Sequence, residues 1–142
     1  MSEETNKRRV REFFEEVWNQ ATVRAADDYI AADAIGHNPD FGTSLEAFKA
    51  QWNKMLEAFP DLHIDLEDVV AEDDKVATRW TLTGTHKGVY EGLSPTGKRV
   101  KVTGMSFDRL VDGQIMEGWD NWDGLGLLEQ LGAQVLRSPQ GR

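Results

Sequence analysis

The chain has 142 residues, 39% hydrophobic and 29% charged, a composition typical of one globular domain. The formal net charge of −9 argues against nucleic-acid binding, and the lack of cysteine excludes disulfides and thiolate chemistry. No apolar run reaches membrane-spanning length, and the charged N-terminus lacks a signal-peptide core. We therefore expect a single cytoplasmic domain over residues 1–142, with a loose tail from about residue 137 and no membrane or nucleic-acid partner.

Apolar residues recur at helical spacing in two places. The first set predicts an amphipathic helix from about residue 4 to 19, and its members are Val10, Phe13, Phe14, Val17 and Trp18. A short helix is predicted to follow around residues 23–30. The second helix-like set follows a turn-rich stretch, residues 37–44, and ends at Pro60. Thr43 and Glu46 have capping-box spacing at its start. Its members are Leu45, Phe48, Trp52, Met55 and Phe59.

After residue 60, apolar and polar residues alternate as they do in half-buried strands. We predict strands over about residues 62–67, 76–83, 99–110 and 114–122, and a short helix over 125–131. Helices followed by strands joined through short turns predict an α+β fold. Its helices pack on one face of a curved antiparallel sheet and leave a cone-shaped cavity between the two layers.

The segment EGWDNWDG, residues 117–124, places two aspartates beside two tryptophans. Side chains alternate along a strand, so Asp120 and Trp122 share one face. Asp123 precedes the last helix and is predicted to be its N-cap. Asp120 has no helix to cap, and an apolar pocket would raise its pKa, which suits a general base or acid near neutral pH. The alternative is that Asp120 is a solvated strand residue.

Known metal and nucleotide motifs do not fit the chain. The three histidines, His37, His63 and His86, have neither H-x-H nor HExxH spacing, and DNWDG lacks the ligand positions of an EF-hand loop. The glycines form no phosphate loop, and no serine lies in a nucleophile-elbow pattern. We expect chemistry that uses no metal and no cofactor.

The segment from Val76 to Gly132 resembles the SnoaL-like polyketide cyclases, also called ester cyclases. The matching pieces are RWTLTGTHKG, PTGKRV, DGQIMEGWDNWD and LLEQLG, in the family's order and spacing; WNQ and HNPD upstream also fit. The resemblance implies an NTF2-like cone fold, similar to nuclear transport factor 2 and ketosteroid isomerase, with cofactor-free chemistry in the cavity. In the cyclases that close a ring by intramolecular aldol addition, the aspartate of WD takes a proton from a carbon next to a carbonyl. That position is Asp120 here.

The chain departs from the family pattern at two positions. Ser106 stands where many members have the histidine of a G-x-H pattern, and Gly118 stands where many read EHWD. A serine donates a hydrogen bond but does not become cationic near neutral pH. Whether the substrate and the reaction are those of the cyclases is therefore left open.

The predicted site combines two catalytic residues with a set of substrate contacts. Asp120 is the predicted base, and His86 either orients a substrate carbonyl or is a surface histidine. The predicted substrate-binding residues are Phe14, Trp18, His37, Trp52, Met55, Trp80, Tyr90, Ser106 and Trp122. We interpret Asp108 and Arg109, near the last hairpin, as surface or interface charges.

The expected partners are a small apolar or aromatic, polyketide-like substrate and a second copy of the chain. Residues 101–107 mix apolar and polar groups on the outer face of a strand, which favours a homodimer or a higher homo-oligomer.

Two alternative functions remain. A non-catalytic small-molecule-binding domain has the same fold, and it is favoured if Asp120 pairs with an arginine rather than facing a cavity. A limonene-type epoxide hydrolase uses an Asp–Arg–Asp set with R-x-D on a central strand. The corresponding strand here reads Arg79-Trp80-Thr81, so that second carboxylate is missing.

Overall fold

The computed structural model describes residues 2–134. Within them, the helices are α1 (Glu3–Phe13), α2 (Ala26–Tyr29), α3 (Leu45–Ala58) and α4 (Gly124–Gln130), and the strands are β1 (Ile30–Gly36), β2 (His63–Glu72), β3 (Lys75–Thr85), β4 (Arg99–Val111) and β5 (Gln114–Trp122). The predicted loose tail lies outside the described residues. No helix in the described range is both long and apolar enough to cross a membrane.

The predicted α+β fold is confirmed, with helices covering one face of a curved five-stranded sheet. The strand order is β1-β5-β4-β3-β2, and the four strands from β2 to β5 form an antiparallel meander. β1 differs from the prediction of a wholly antiparallel sheet because it pairs parallel to β5. It was also not predicted as a strand, and the expected short helix ends at Tyr29 rather than Ile30.

The first helix lies against the sheet through the apolar face that its spacing predicts. Val10 and Val17 are fully buried, and α1 continues without a break into a π-helical turn over Phe14–Asn19. Asn19 ends this turn and ties it to β2: its amide donates to the carbonyl of Ile64 at 2.9 Å, and its side-chain oxygen accepts from the Ile64 N–H at 2.7 Å. These two bonds fix the C-terminal end of the helix over the sheet.

Side chains cap the N-termini of α3 and α4. Asp123 caps α4, accepting a hydrogen bond from the Gly126 N–H at 2.9 Å, which confirms the prediction. The predicted cap of α3 is wrong by one residue: the Ser44 hydroxyl, rather than Thr43, accepts from the Ala47 N–H at 3.1 Å. Both residues have the right chemistry for an N-cap, so sequence alone does not separate them.

Candidate active site

Directly opposed residues on neighbouring strands form rows across the face of the sheet that the helices cover. The central row joins Thr78 of β3, Ser106 of β4 and Asp120 of β5. The row on one side contains Trp80, Gly104 and Trp122, and the row on the other side contains Val76, Asp108, Gly118 and, on β1, Gly36. The site is thus built from the middle of three long strands.

A directed chain of hydrogen bonds runs along this face to Asp120. The Trp80 indole N–H donates to Ser106 Oγ at 3.0 Å, and the Ser106 hydroxyl donates to Asp120 Oδ1 at 2.5 Å. An indole N–H only donates, so the proton of Ser106 is directed to the carboxylate. Ser106, predicted as a substrate contact, therefore also positions the predicted base.

Gly104 allows Trp80 to reach Ser106. A Cβ at residue 104 would lie 2.4 Å from Cζ2 of the Trp80 ring, closer than any real side chain comes. The indole therefore lies across the backbone of β4, and Trp80 is only 2% exposed.

The pKa of Asp120 reflects two opposing influences. Burial raises it above the ordinary value because the charged form loses hydration, while the hydrogen bond from Ser106 lowers it. Within residues 2–134, no lysine, arginine or histidine lies in ion-pair distance of Asp120. Among the described residues, the carboxyl therefore faces the cavity and not an ion-pair partner, the arrangement that favours an enzyme over a binding domain.

Asp108 corrects the sequence interpretation, because it is a buried cavity residue and not a surface charge. It is 7% exposed and lines the same cavity as Asp120. Burial and, second, the nearby Asp120 carboxyl raise the pKa of Asp108 well above its ordinary value. The sequence could have shown this, because Asp108 is two residues from Ser106 along β4 and side chains two apart on a strand share a face. Its position near the hairpin that follows β4 favoured the wrong interpretation.

The cavity itself is small and apolar. It has about 80 Å³ of free space between α1, α3 and the sheet, bordered by Phe14, Trp18 and Met55 among others. Asp108 and Asp120 are the only aspartates, glutamates, lysines, arginines or histidines in its described lining. A cavity of roughly 150 Å³ is known to hold one benzene. A substrate with several rings therefore requires this cavity to widen.

The predicted substrate contacts divide between this cavity and other places. Phe14, Trp18, Met55, Trp80 and Ser106 line it together with Asp120. Trp52 is a core residue whose indole N–H donates to the Val17 carbonyl at 2.9 Å, so it joins α3 to the first helix. His37 lies on the outside, stacked on Trp119 at 4.9 Å and bonded to Glu117 at 2.7 Å.

His86 is neither on the surface nor in the cavity. It is completely buried against Phe59, and its Nδ1 accepts from the Thr96 N–H at 3.2 Å. The structure does not bring His86 together with Asp120, and its contacts are those of a residue that holds the β3–β4 connection.

Tyr90 and Trp122 border a second, outer hollow that shares Met55 with the cavity. Its polar lining includes Lys54 and Asn121, and its free space is about 480 Å³. Phe41, from the turn Pro39–Phe41, packs edge-on against Trp80 of the inner cavity at 6.0 Å and Trp122 of the outer hollow at 5.1 Å. Its ring therefore lies where a path between the two spaces would run.

The turn that carries Phe41 is fastened to β5. The Asn38 amide donates to the Asp120 backbone carbonyl at 2.8 Å, and the Trp122 indole N–H donates to Asp40 at 3.0 Å. The turn is thereby held directly over the strand that bears the candidate base.

Comparison with known proteins finds one family that matches nearly the whole chain. The family profile described as SnoaL-like polyketide cyclase matches residues 8–131. Two aklanonic acid methyl ester cyclases, DnrD of Streptomyces peucetius and DauD of Streptomyces sp. (strain C5), are each 33% identical over 116 residues, which is 80% of this chain and 78% and 70% of theirs. AclR of Streptomyces galilaeus, a proposed hydroxylase, is 30% identical with a TM-score of 0.86, covering 98% of this chain and 92% of its own.

Proposed function

We propose that this chain, which belongs to the SnoaL-like polyketide cyclase family, closes a ring by an intramolecular aldol addition in which Asp120 is the general base. The observation that carries the proposal is the Asp120 carboxyl, which is oriented by Ser106 and faces an apolar cavity with no cationic partner among residues 2–134. A passive binding domain has no need of an oriented, unpaired carboxylate, which is costly to bury.

The proposed reaction moves protons and forms one carbon–carbon bond. Asp120 takes a proton from a carbon next to a carbonyl and leaves an enolate. The enolate carbon attacks a second carbonyl of the same molecule, and the resulting alkoxide takes the proton back from Asp120. The product is an isomer of the substrate, so the reaction balances without an oxidant, a reductant or a leaving group, and we propose that it needs no cofactor.

Trp80 and Ser106 have positioning roles in this scheme. The Ser106 hydroxyl holds Asp120 Oδ1, which leaves Oδ2 available to the substrate proton. Because this bond lowers the pKa of Asp120 against the effect of burial, it keeps a larger fraction of the base ionised near neutral pH.

The proposed substrate is an apolar, polyketide-like carbonyl compound, and aklanonic acid methyl ester is the first candidate because the cyclases DnrD and DauD are named for it. A substrate with several rings exceeds the present free space of about 80 Å³. We propose that the Phe41 turn moves aside and that part of the substrate occupies the outer hollow beside Tyr90 and Trp122.

The test compares Asp120→Asn with the wild type on this ester, and Asp33→Asn serves as a matched control because Asp33 is exposed on β1. Asp120→Asn keeps the size and the acceptor for Ser106 but removes the base, so turnover is expected to fall by roughly 10²–10⁴-fold. Full turnover by Asp120→Asn would refute the assignment. A product heavier by one oxygen atom would instead favour the hydroxylase chemistry proposed for AclR.

We also propose that the protein forms a homodimer through the outer face of its sheet. Met105 is 60% exposed there and Phe107 41%, and Val70 of β2 is 62% exposed. Apolar groups exposed together on one sheet face favour pairing with a second sheet. Light scattering at micromolar concentration is expected to give twice the chain mass, and a monomer would contradict the proposal.

A further inference from the structure

Asp108 occupies a position in the cavity that only small neighbours allow. It lies directly opposite Gly118 and diagonally from Asp120, and Gly118 in turn pairs with Gly36 of β1. Diagonal neighbours on antiparallel strands lie about 7–8 Å apart, within reach of two carboxyl groups that face the same space. A Cβ at residue 118 would lie 2.9 Å from Asp108 Oδ1, so the carboxyl extends over the bare backbone of the neighbouring strand.

Nothing in the described part of the chain stabilises a negative charge on Asp108. No described side chain or backbone N–H donates a hydrogen bond to its carboxyl, and no lysine, arginine or histidine lines the cavity. Arg109, its neighbour along β4, points to the opposite face and contacts Glu117. The titratable group that faces Asp108 is Asp120, a second carboxyl.

Two carboxyl groups in one apolar site do not both ionise readily. Asp120 has the hydrogen bond from Ser106, which stabilises its anion, whereas no described residue donates one to the Asp108 carboxyl. The hydrogen bond therefore favours the anion on Asp120 and leaves the proton on Asp108; burial raises the pKa of both carboxyls. A neutral carboxylic acid in an apolar pocket is a good hydrogen-bond donor to a developing oxyanion.

We infer that Asp108 is a second catalytic residue, a neutral acid whose O–H donates a hydrogen bond to the enolate oxygen that forms when Asp120 removes the neighbouring proton. The inference rests on the proposed function and adds the group that stabilises the enolate. In the step, the C–H bond breaks, its proton goes to Asp120, and its electron pair moves onto the carbonyl oxygen that Asp108 faces. Asp108 keeps its own proton throughout.

This assignment also accounts for the departure from the family pattern at Gly118. Ser106 and Gly118 stand where many members have histidines, and both lie in the rows that surround the carboxyl pair. Gly118 leaves the space that Asp108 fills. We therefore place the electrophilic group on β4, as the carboxylic acid of Asp108.

The test uses two variants that differ in hydrogen-bonding ability. Asp108→Asn is neutral at every pH and still donates, whereas Asp108→Leu has similar size and donates nothing. With aklanonic acid methyl ester, the turnover of Asp108→Leu is expected to fall about 10²–10³-fold, the usual effect of removing one oxyanion donor. Asp108→Asn is expected to keep a much larger share of the wild-type turnover than Asp108→Leu. Asp33→Asn again serves as the control.

The pH profile separates this role from a structural one. The wild type requires Asp120 ionised and Asp108 protonated, so its turnover is expected to fall on both the acid and the alkaline side. Asp108→Asn is expected to lose the alkaline fall and to keep the acid fall. An alkaline fall that persists in Asp108→Asn, or full turnover by Asp108→Leu, would overturn the inference.

Carbon-13 NMR of the aspartate carboxyls provides a measurement that needs no substrate. Two of them are expected to titrate above the ordinary range, and the higher transition should vanish in Asp108→Asn. A higher transition that survives this substitution would overturn the inference as well. Failure of the proposed function is recognised separately, by full turnover in Asp120→Asn.

Discussion

The hydrogen-bond chain from Trp80 through Ser106 to Asp120 predicts a specific cost for Ser106→Ala. This substitution removes a bond to an ionised group, which contributes about 1.5–3 kcal/mol to stability. It also leaves the indole N–H of Trp80, which is 2% exposed, without an acceptor, at a cost of about 1–3 kcal/mol. At a pH where Asp120 is ionised, the two effects together lower the free energy of unfolding by about 2.5–6 kcal/mol.

A double-mutant cycle with Trp80→Phe separates these effects. In the Trp80→Phe background no indole N–H is left unpaired, so Ser106→Ala costs only its bond to Asp120. The two substitutions are therefore expected to be non-additive by about 1–3 kcal/mol, measured by urea denaturation of the four proteins at one pH. Additivity to within about 0.5 kcal/mol would refute the proposed chain of bonds.

The same substitution shifts the activity profile in a defined direction. The Ser106 hydrogen bond lowers the pKa of Asp120, so its removal raises that pKa further. The acid-side fall of turnover in Ser106→Ala is then expected at a higher pH than in the wild type. A shift to lower pH, or none, would show that Ser106 does not stabilise the ionised base.

Three further predictions follow from individual contacts. Asp123→Ala removes the N-cap of α4 and is expected to cost about 1 kcal/mol in urea denaturation while most turnover remains; a large loss of turnover would contradict a purely structural role. Gly104→Ala places a methyl group against the Trp80 ring and is expected to cost about 1–3 kcal/mol from overpacking, with a lower melting temperature as the readout. Asp108→Asn is expected to stabilise the fold. The pKa of Asp108 in the folded protein lies above the ordinary 3.8, so the unfolded chain loses this proton at a lower pH than the folded chain. Wild-type stability therefore falls as the pH rises from 3.8 towards the raised value. Its advantage over the wild type should grow across that pH window, and an advantage that shrinks as the pH rises would contradict the burial of an unpaired acid.

Residues whose roles depend on local pattern were predicted well from the sequence. Alternation along one strand placed Asp120 on the covered face, and the position of Asp123 before GLGLLEQ identified it as a cap. The inward residues of the first helix followed from their spacing in the same way. In each case the decisive neighbours lie within a few positions along the chain.

The missed features depend on pairing between distant residues. β1 was not predicted because its sequence, IAADAIG, has little alternation and is held by β5, far along the chain. Asp108 was misassigned because its burial depends on Gly118 of the next strand, and His86 because Thr96 and Phe59 enclose it. The residues that enclose His86 and pair with β1 lie in other segments, and only for Asp108 did the alternation along its own strand point to the covered face.

The parallel pairing of β1 with β5 has a consequence for the order in which the molecule assembles. β1 precedes the meander in the chain, and its partner β5 is the last described strand, so Gly36 pairs with a residue that is synthesised after β2, β3 and β4. Contacts between such distant residues close a long loop and form slowly. During synthesis on the ribosome, β1 has no strand partner until β5 emerges, and the wall of the cavity beside Asp108 and Asp120 is therefore completed last. Variants that weaken this final pairing should accumulate a chain with a formed meander and an open catalytic cavity.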